Sequence, residues 1–280
     1  MVIELGHRTP TTLRYCANLS MLYAQLPLLE RPAAAAAAGF DFVESWWPFG
    51  EPAPRAADVE AFCESLDRAG VRLVALNLDA GDPDQGERGL LSDPLGAERI
   101  SANLEAAVTV LRRSGCRIVN ALYGNRLDGQ DPAEQDRVAL DRLVAVADTL
   151  ADLDAVVVLE TLNTRDSPRF PLTDIAGTVR LLVEAVQQTQ GRNIGLLLDV
   201  YHLATMGADP VAAIREYADM IRHVQFADAP GRGQPGTGQL DFAALEQALI
   251  DIGYDGYVGL EYEPASASDV GVSPREGDCA

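Results

Sequence analysis

Short apolar runs alternate with longer amphipathic stretches along the chain, the pattern of a parallel sheet whose strands are joined by helical crossovers. Eight runs read as strands: Tyr15 to Asn18, Phe40 to Glu44, Leu73 to Asn77, Arg117 to Leu122, Ala155 to Glu160, Ile194 to Asp199, His223 to Phe226 and Tyr257 to Glu261. The runs VVVL before Glu160 and LLL before Asp199 are apolar at every position, as strands buried on both faces must be. Helix starts stand between them. Asp93-Pro94, Asp131-Pro132 with Glu134 three residues past the cap, and Asp209-Pro210 each set an N-cap before a proline at the first helical position. Apolar stripes at helical spacing follow, as in Val59, Phe62, Cys63 and Leu66 and again in Phe242, Leu245 and Leu249.

Eight strands in βα order favour a closed (β/α)8 TIM barrel, an α/β fold, over an open doubly wound sheet, and 280 residues suit one such domain. We place the barrel at residues 13 to 264, with an N-terminal extension over 1–12 and a tail over 265–280. After Glu261 the chain is rich in Ser, Pro and Gly without helical period, so the eighth helix is expected to be short or absent. The tail, or a second subunit in a homodimer, would then cover the barrel.

Reactive groups in such barrels sit at the C-terminal strand ends. Glu160, Asp199, Gln225 and Glu261 stand at four of them, where a buried carboxylate is costly unless its charge is compensated. Three carboxylates and an amide oxygen form an all-oxygen set, which suits Mg²⁺ or Mn²⁺ better than zinc. An arginine standing in the ion's place would overturn this reading. His202, three residues after Asp199, is placed to bond a substrate oxygen or to ligate the metal; His223 points into the barrel as a structural or supporting group, and His7 precedes the first strand. Glu44 and Trp46 near the end of the second strand, Asn77 at the third and Asn163 past the fifth are candidate substrate contacts, and Trp46-Trp47-Pro48-Phe49 reads as an aromatic wall or a subunit contact.

Charge narrows the partners. Lys and Arg total 22 against 42 Asp and Glu, a net charge of -20, so nucleic acid and anionic membranes are repelled. No lysine occurs. That removes Schiff-base aldolases, lysine-bound pyridoxal phosphate and P-loop nucleotide hydrolysis. Any anionic substrate group must then be met by an arginine or by backbone amides, and Arg88 and Arg232 are the candidate contacts for a substrate carboxylate. The four cysteines, Cys16, Cys63, Cys116 and Cys279, have no metal or disulfide spacing. With no leader-like or membrane-spanning run, a soluble cytoplasmic protein is expected. Gly231, Gly233 and Gly236 spell GxGxxG, but Pro235, Thr237 and Gly238 intervene before the cap at Asp241, so the stretch reads as a flexible substrate loop.

The segments ANLSMLY (Ala17 to Tyr23), NLDAGDPDQGERG (Asn77 to Gly89), LETLN, LLLDVYHLATM, HVQFADAPGRGQPGTGQ (His223 to Gln239) and GLEYEP occur in this order. Together they resemble the hydroxypyruvate isomerase family of the xylose-isomerase-like TIM barrels. The resemblance runs from Leu13 to Pro264 and departs from the family pattern at Pro83, Thr161 and Glu263. It implies a metal on Glu160, Asp199, Gln225 and Glu261, with Glu160 and Glu261 also serving as the catalytic acid/base pair. The implied reaction moves a proton between adjacent carbons through an enediolate, on hydroxypyruvate or a related 2-oxo sugar acid. Ketose 3-epimerases and inosose dehydratases are more distant alternatives on the same barrel. A DNA-repair endonuclease is disfavoured by charge and by only three histidines, and a non-catalytic sugar-acid binder by the two glutamates.

Overall fold

The computed structural model describes residues 12–189 and 192–266. Eight parallel strands close into a barrel in chain order: β1 (Arg14–Asn18), β2 (Phe42–Ser45), β3 (Arg72–Asn77), β4 (Ile118–Asn120), β5 (Val156–Glu160), β6 (Ile194–Asp199), β7 (Ile221–Phe226) and β8 (Tyr257–Leu260). The barrel closes by pairing β8 with β1, with Cys16 opposite Gly259. Around it lie α1 (Arg31–Ala37), α2 (Ala56–Ala69), α3 (Ala97–Ser114), α4 (Pro132–Ala151), α5 (Ile175–Gln188), α6 (Val200–Thr205), α7 (Pro210–Glu216) and α8 (Phe242–Asp251). This is the expected (β/α)8 barrel. Most of the N-terminal extension and tail, any helix after β8, His7 and Cys279 lie outside the described residues.

Val157 to Leu159 and Leu196 to Leu198 are buried at every position, because one face of each strand meets the barrel interior and the other the helices. The α2 stripe buries Val59, Phe62, Cys63 and Leu66, and the helix ends on Gly70 at φ 72, the left-handed cap that glycine adopts without a steric penalty. In α8, Leu245 and Leu249 are buried with Ala248, and Phe242 meets Phe226 of β7 with ring centroids 5.2 Å apart. Leu143 of α4 is fully buried. Leu143→Ala is expected to cost about 2–5 kcal/mol through lost burial and the cavity left behind, read as a lower urea midpoint. An unchanged midpoint would mean that α4 is not held by this packing.

Two of the three expected proline caps form. Asp131 accepts from the Ala133 amide, and Asp209 from the Val211 and Ala212 amides. The third is displaced: α3 begins at Ala97 behind Gly96, and Asp93 accepts from the Leu95 amide at 2.9 Å in a turn before it. Arg142 of α4 donates to the carbonyls of Leu90, Leu91 and Asp93. That tertiary anchor holds the turn open where local capping alone would have started the helix. Among the described residues no helix is long and apolar enough to cross a membrane, and Cys16, Cys63 and Cys116 are buried free thiols.

Candidate active site

The C-terminal strand ends surround a cavity of about 450 Å³. Glu160 ends β5, Asp199 ends β6, Gln225 is the penultimate residue of β7, and Glu261 directly follows β8. Asp199 lies opposite Gln225 in the ladder, and the Glu261 amide donates to the Phe226 carbonyl at 3.1 Å. These four positions therefore occupy one continuous arc of the barrel mouth. Glu160 and Glu261 reach the cavity wall with Trp46, Asn77, Arg88, His202 and Arg232. Asp199 and Gln225 are each 2% exposed and pack beside it.

Glu160 and Asp199 are each held through one oxygen, and Glu261 through both. Glu160 accepts from Asn120 Nδ2 at 2.9 Å through Oε2. Asp199 caps α6, its Oδ1 accepting from the His202 amide at 3.0 Å. Gln225 donates its Nε2 to Glu44 at 2.8 Å. Glu261 Oε1 accepts from Asn18 at 3.0 Å and from the Trp46 indole at 2.6 Å, while Oε2 meets Arg232 Nη2 at 2.5 Å. What remains is informative: Asp199 Oδ2 and Gln225 Oε1 are buried without a hydrogen-bond partner among the described residues.

Burial pushes all three carboxyls upward. Glu160 is held well above the usual carboxylate range by burial and then by the charges of Glu261 and Asp199. Burial also lifts Asp199 to about 6 and Glu261 to about 7, in both cases against the downward pull of Arg232. Arg232 moves the other way: burial opposes its charge, but Glu261, Asp199 and Glu160 together hold the guanidinium above its ordinary value. One arginine thus faces three carboxylates and bonds only one of them. Two negative charges and two bare oxygens are left over, and a hard divalent cation supplies the missing charge and accepts oxygen donors. Glu160, Asp199, Gln225 and Glu261 therefore suit Mg²⁺ or Mn²⁺ in charge and donor type.

The tautomer of His202 follows from its neighbours. Nδ1 accepts from the Asn163 amide at 3.1 Å and lies 2.7 Å from Asn163 Nδ2, a donor because Asn163 Oδ1 already accepts from Asp166. The proton of the neutral ring is therefore on Nε2, which faces Glu160 at 3.6 Å and Asp199 at 3.9 Å. Burial first, and Arg232 second, hold His202 well below its ordinary pKa, so it stays neutral. A protonated Nε2 donates; it does not ligate.

Two expected substrate contacts are corrected by this geometry. Asn163 is fully buried and turned onto His202 and Asp166, so it orients the histidine and does not reach the cavity. Glu44 is 2% exposed and bonded to Asn18, Gln225 and His223, below the cavity wall. Arg88 does reach the wall; it donates to the carbonyls of Pro83 and Glu87 and pairs with no carboxylate among the described residues. Trp46, Trp47 and Phe49 also line it, with Phe49 stacked edge-on against Phe62 at 5.9 Å.

The glycine-rich loop after β7 is not slack, contrary to expectation. Asp228, fully buried, accepts from five backbone amides: Ala229 at 2.8 Å, Gly236 at 2.9 Å, Gly238 at 2.7 Å, and Gln239 and Leu240 at 3.0 Å each. The loop winds around this carboxylate and so fixes Arg232, whose backbone is left-handed at φ 54. Asp228 is not among the residues expected at the site. Its signal was an acid followed by a run of glycines whose free amides need an acceptor.

The family model for the xylose isomerase-like TIM barrel matches residues 32–277. A putative hydroxypyruvate isomerase of Streptomyces coelicolor is 46% identical over 90% of this chain and 91% of its own length. The chain belongs to the hydroxypyruvate isomerase family of xylose isomerase-like TIM barrels. It is similar at 31% identity to the hydroxypyruvate isomerase of Escherichia coli, over 93% of this chain and 97% of that one. Among solved structures, one described as an AP endonuclease, family 2, from Brucella melitensis superposes with a TM-score of 0.83 at 29% identity, covering 92% of this chain and 97% of that one. The relatives from Streptomyces coelicolor and Escherichia coli carry isomerase names, and this protein is an isomerase.

Proposed function

We propose that this isomerase moves a proton between adjacent carbons of a small hydroxy-oxo acid, hydroxypyruvate or a related 2-oxo sugar acid, with Mg²⁺ or Mn²⁺ on Glu160, Asp199, Gln225 and Glu261. The observation that carries the reading is the pairing of two bare, buried oxygens, on Asp199 and Gln225, with two glutamates that reach the same cavity. When bound, a divalent cation would act as a Lewis acid toward the charge that develops on the substrate oxygens.

The chain's own groups account for the rest. One of Glu160 and Glu261 takes the proton from the hydroxyl-bearing carbon, and the electron pair left behind makes the enediolate. The other returns a proton to the neighbouring carbon while the hydroxyl proton passes from one substrate oxygen to the other, so the old carbonyl becomes a hydroxyl and the old hydroxyl a carbonyl. A carboxyl raised toward neutrality by burial can hold a proton as well as release one. His202 donates an Nε2–H hydrogen bond to a substrate oxygen, and Asn77 offers an amide to a hydroxyl. Arg88 and Arg232 take the substrate carboxylate, since both reach the cavity and Arg232 keeps a buried Nε without a partner among the described residues. A phosphodiester backbone fits poorly, because Asp79, Asp82 and Glu87 stand on the same wall.

The test is a panel of hydroxypyruvate, four- and five-carbon 2-oxo acids, ketoses and inososes, each with Mg²⁺ or Mn²⁺ in D₂O. The expected result is isomer formation from a 2-oxo acid, with deuterium at the carbon that receives the proton. Dehydrated product would assign a lyase instead, and a ligand bound without exchange would assign a binding protein. A 450 Å³ cavity leaves room beyond three carbons, which is why longer acids belong in the panel.

A further inference from the structure

Resting on the ligand set just proposed, we propose that Glu44 is a positioning residue that decides which end of the Gln225 amide faces the three carboxylates. A glutamine can turn either its oxygen or its NH₂ toward a given side, and only the oxygen can hold a cation. Glu44 removes the choice. Its carboxylate only accepts, and Oε1 takes Gln225 Nε2 at 2.8 Å, which leaves Gln225 Oε1 pointing away, buried and bare.

The carboxylate is itself fixed. Oε1 also accepts from Asn18 at 2.8 Å, and Oε2 lies 2.6 Å from His223 Nε2 and 3.6 Å from Cys16 Sγ. On β8, Gly259 lies against it: a Cβ there would come within 2.4 Å of Glu44 Oε2. Two strands, β1 and β7, bond Glu44, and β8 makes room for it. Among the described residues, the Gln225 and His223 side chains find their hydrogen-bond partner in Glu44 alone, and of these two only Gln225 belongs to the proposed ligand set. Asn18 is held separately, its Oδ1 accepting from the Ser20 and Met21 amides at 3.0 and 3.1 Å.

Orientation and simple charge make different predictions. Without an acceptor at position 44, Gln225 can turn over and present its NH₂ to three acids. With a glutamine there, the amide oxygen can still take the place of Oε1, so orientation survives although the charge is gone.

The experiment is calorimetric titration of metal-free protein with Mn²⁺, with circular dichroism to confirm folding. Glu44→Ala, or the closer-sized Glu44→Met if that chain does not fold, is expected to weaken Mn²⁺ binding by about 10- to 100-fold, the effect usual for groups that orient ligands. Glu44→Gln is expected to stay within about threefold of wild type, on the acceptor argument alone. Once Gln225→Ala has removed the oriented amide, Glu44→Ala is expected to have no further effect. Equal losses from Glu44→Ala and Glu44→Gln, or the same loss with and without Gln225, would overturn the proposal. Wild-type protein that takes up no Mn²⁺ would overturn the ligand set as well, and that result appears before any variant is compared.

Discussion

Glu160→Gln and Glu261→Gln are each expected to lower kcat by about a thousand-fold or more, within the range for loss of a positioned proton-transfer group. The substitution keeps size and one oxygen, so the fold and part of the cation affinity should persist. What goes is the ability to take or give a proton. Both side chains are at most 5% exposed, and Asp199 beside them is turned onto α6 by its cap. The two variants also separate the roles. Losing the group that removes the proton abolishes hydrogen exchange between substrate and D₂O; losing only the group that returns it leaves exchange at the first carbon while turnover stops. Chelated wild-type protein is the companion experiment, and its activity should return on adding Mg²⁺ or Mn²⁺. Substantial turnover by either variant, or by protein stripped of metal, would remove the proposed chemistry.

The barrel was legible because its signals are local and repeated. Apolar runs of strand length, spaced by amphipathic stripes, have few alternative folds, and strand positions such as Ile194 to Asp199 coincide with the observed β6. The strand-end placement of Glu160, Asp199 and Glu261 is visible for a related reason: a charge closing a buried run needs a partner, and these three acids, with Gln225, fall on successive strands. The misses were tertiary. Glu44 ends an apolar run just as Glu160 does, yet His223 and Gln225 reach it across the barrel and enclose it below the cavity. Asn163 sits beside a strand end just as Asn77 does, but α6 brings His202 against it. Pairings between residues tens to hundreds of positions apart leave no mark on local pattern.

Asp228 extends that lesson and carries the second large effect. Asp228→Ala would strip the acceptor from five amides at once, and an unsatisfied buried amide costs roughly 1–3 kcal/mol. Water entering the loop will recover part of this, so the expected loss is about 3–5 kcal/mol, enough to lower the melting temperature by roughly 6–20 °C in a chain of this size. Function should fall as well. Arg232 keeps its left-handed backbone because the loop around it is tied down, by the Asp228 amide on the Gly233 carbonyl at 2.8 Å and by the Glu263 amide on the Arg232 carbonyl at 2.8 Å. Released, that arginine can leave Glu261 and the cavity, and kcat/KM should drop about a hundred-fold, as displaced positioning groups do. Asp228→Asn should lie between, because its NH₂ must face at least one of the amides the carboxylate accepted. Gly238→Ala tests the same winding independently, since a Cβ there would fall 2.5 Å from Asp228 Oδ1 and 2.6 Å from the Ala229 carbonyl. A variant at 228 that melts and turns over like wild type would show that the loop keeps its shape without the buried acid, and that Arg232 is held by Glu261 alone.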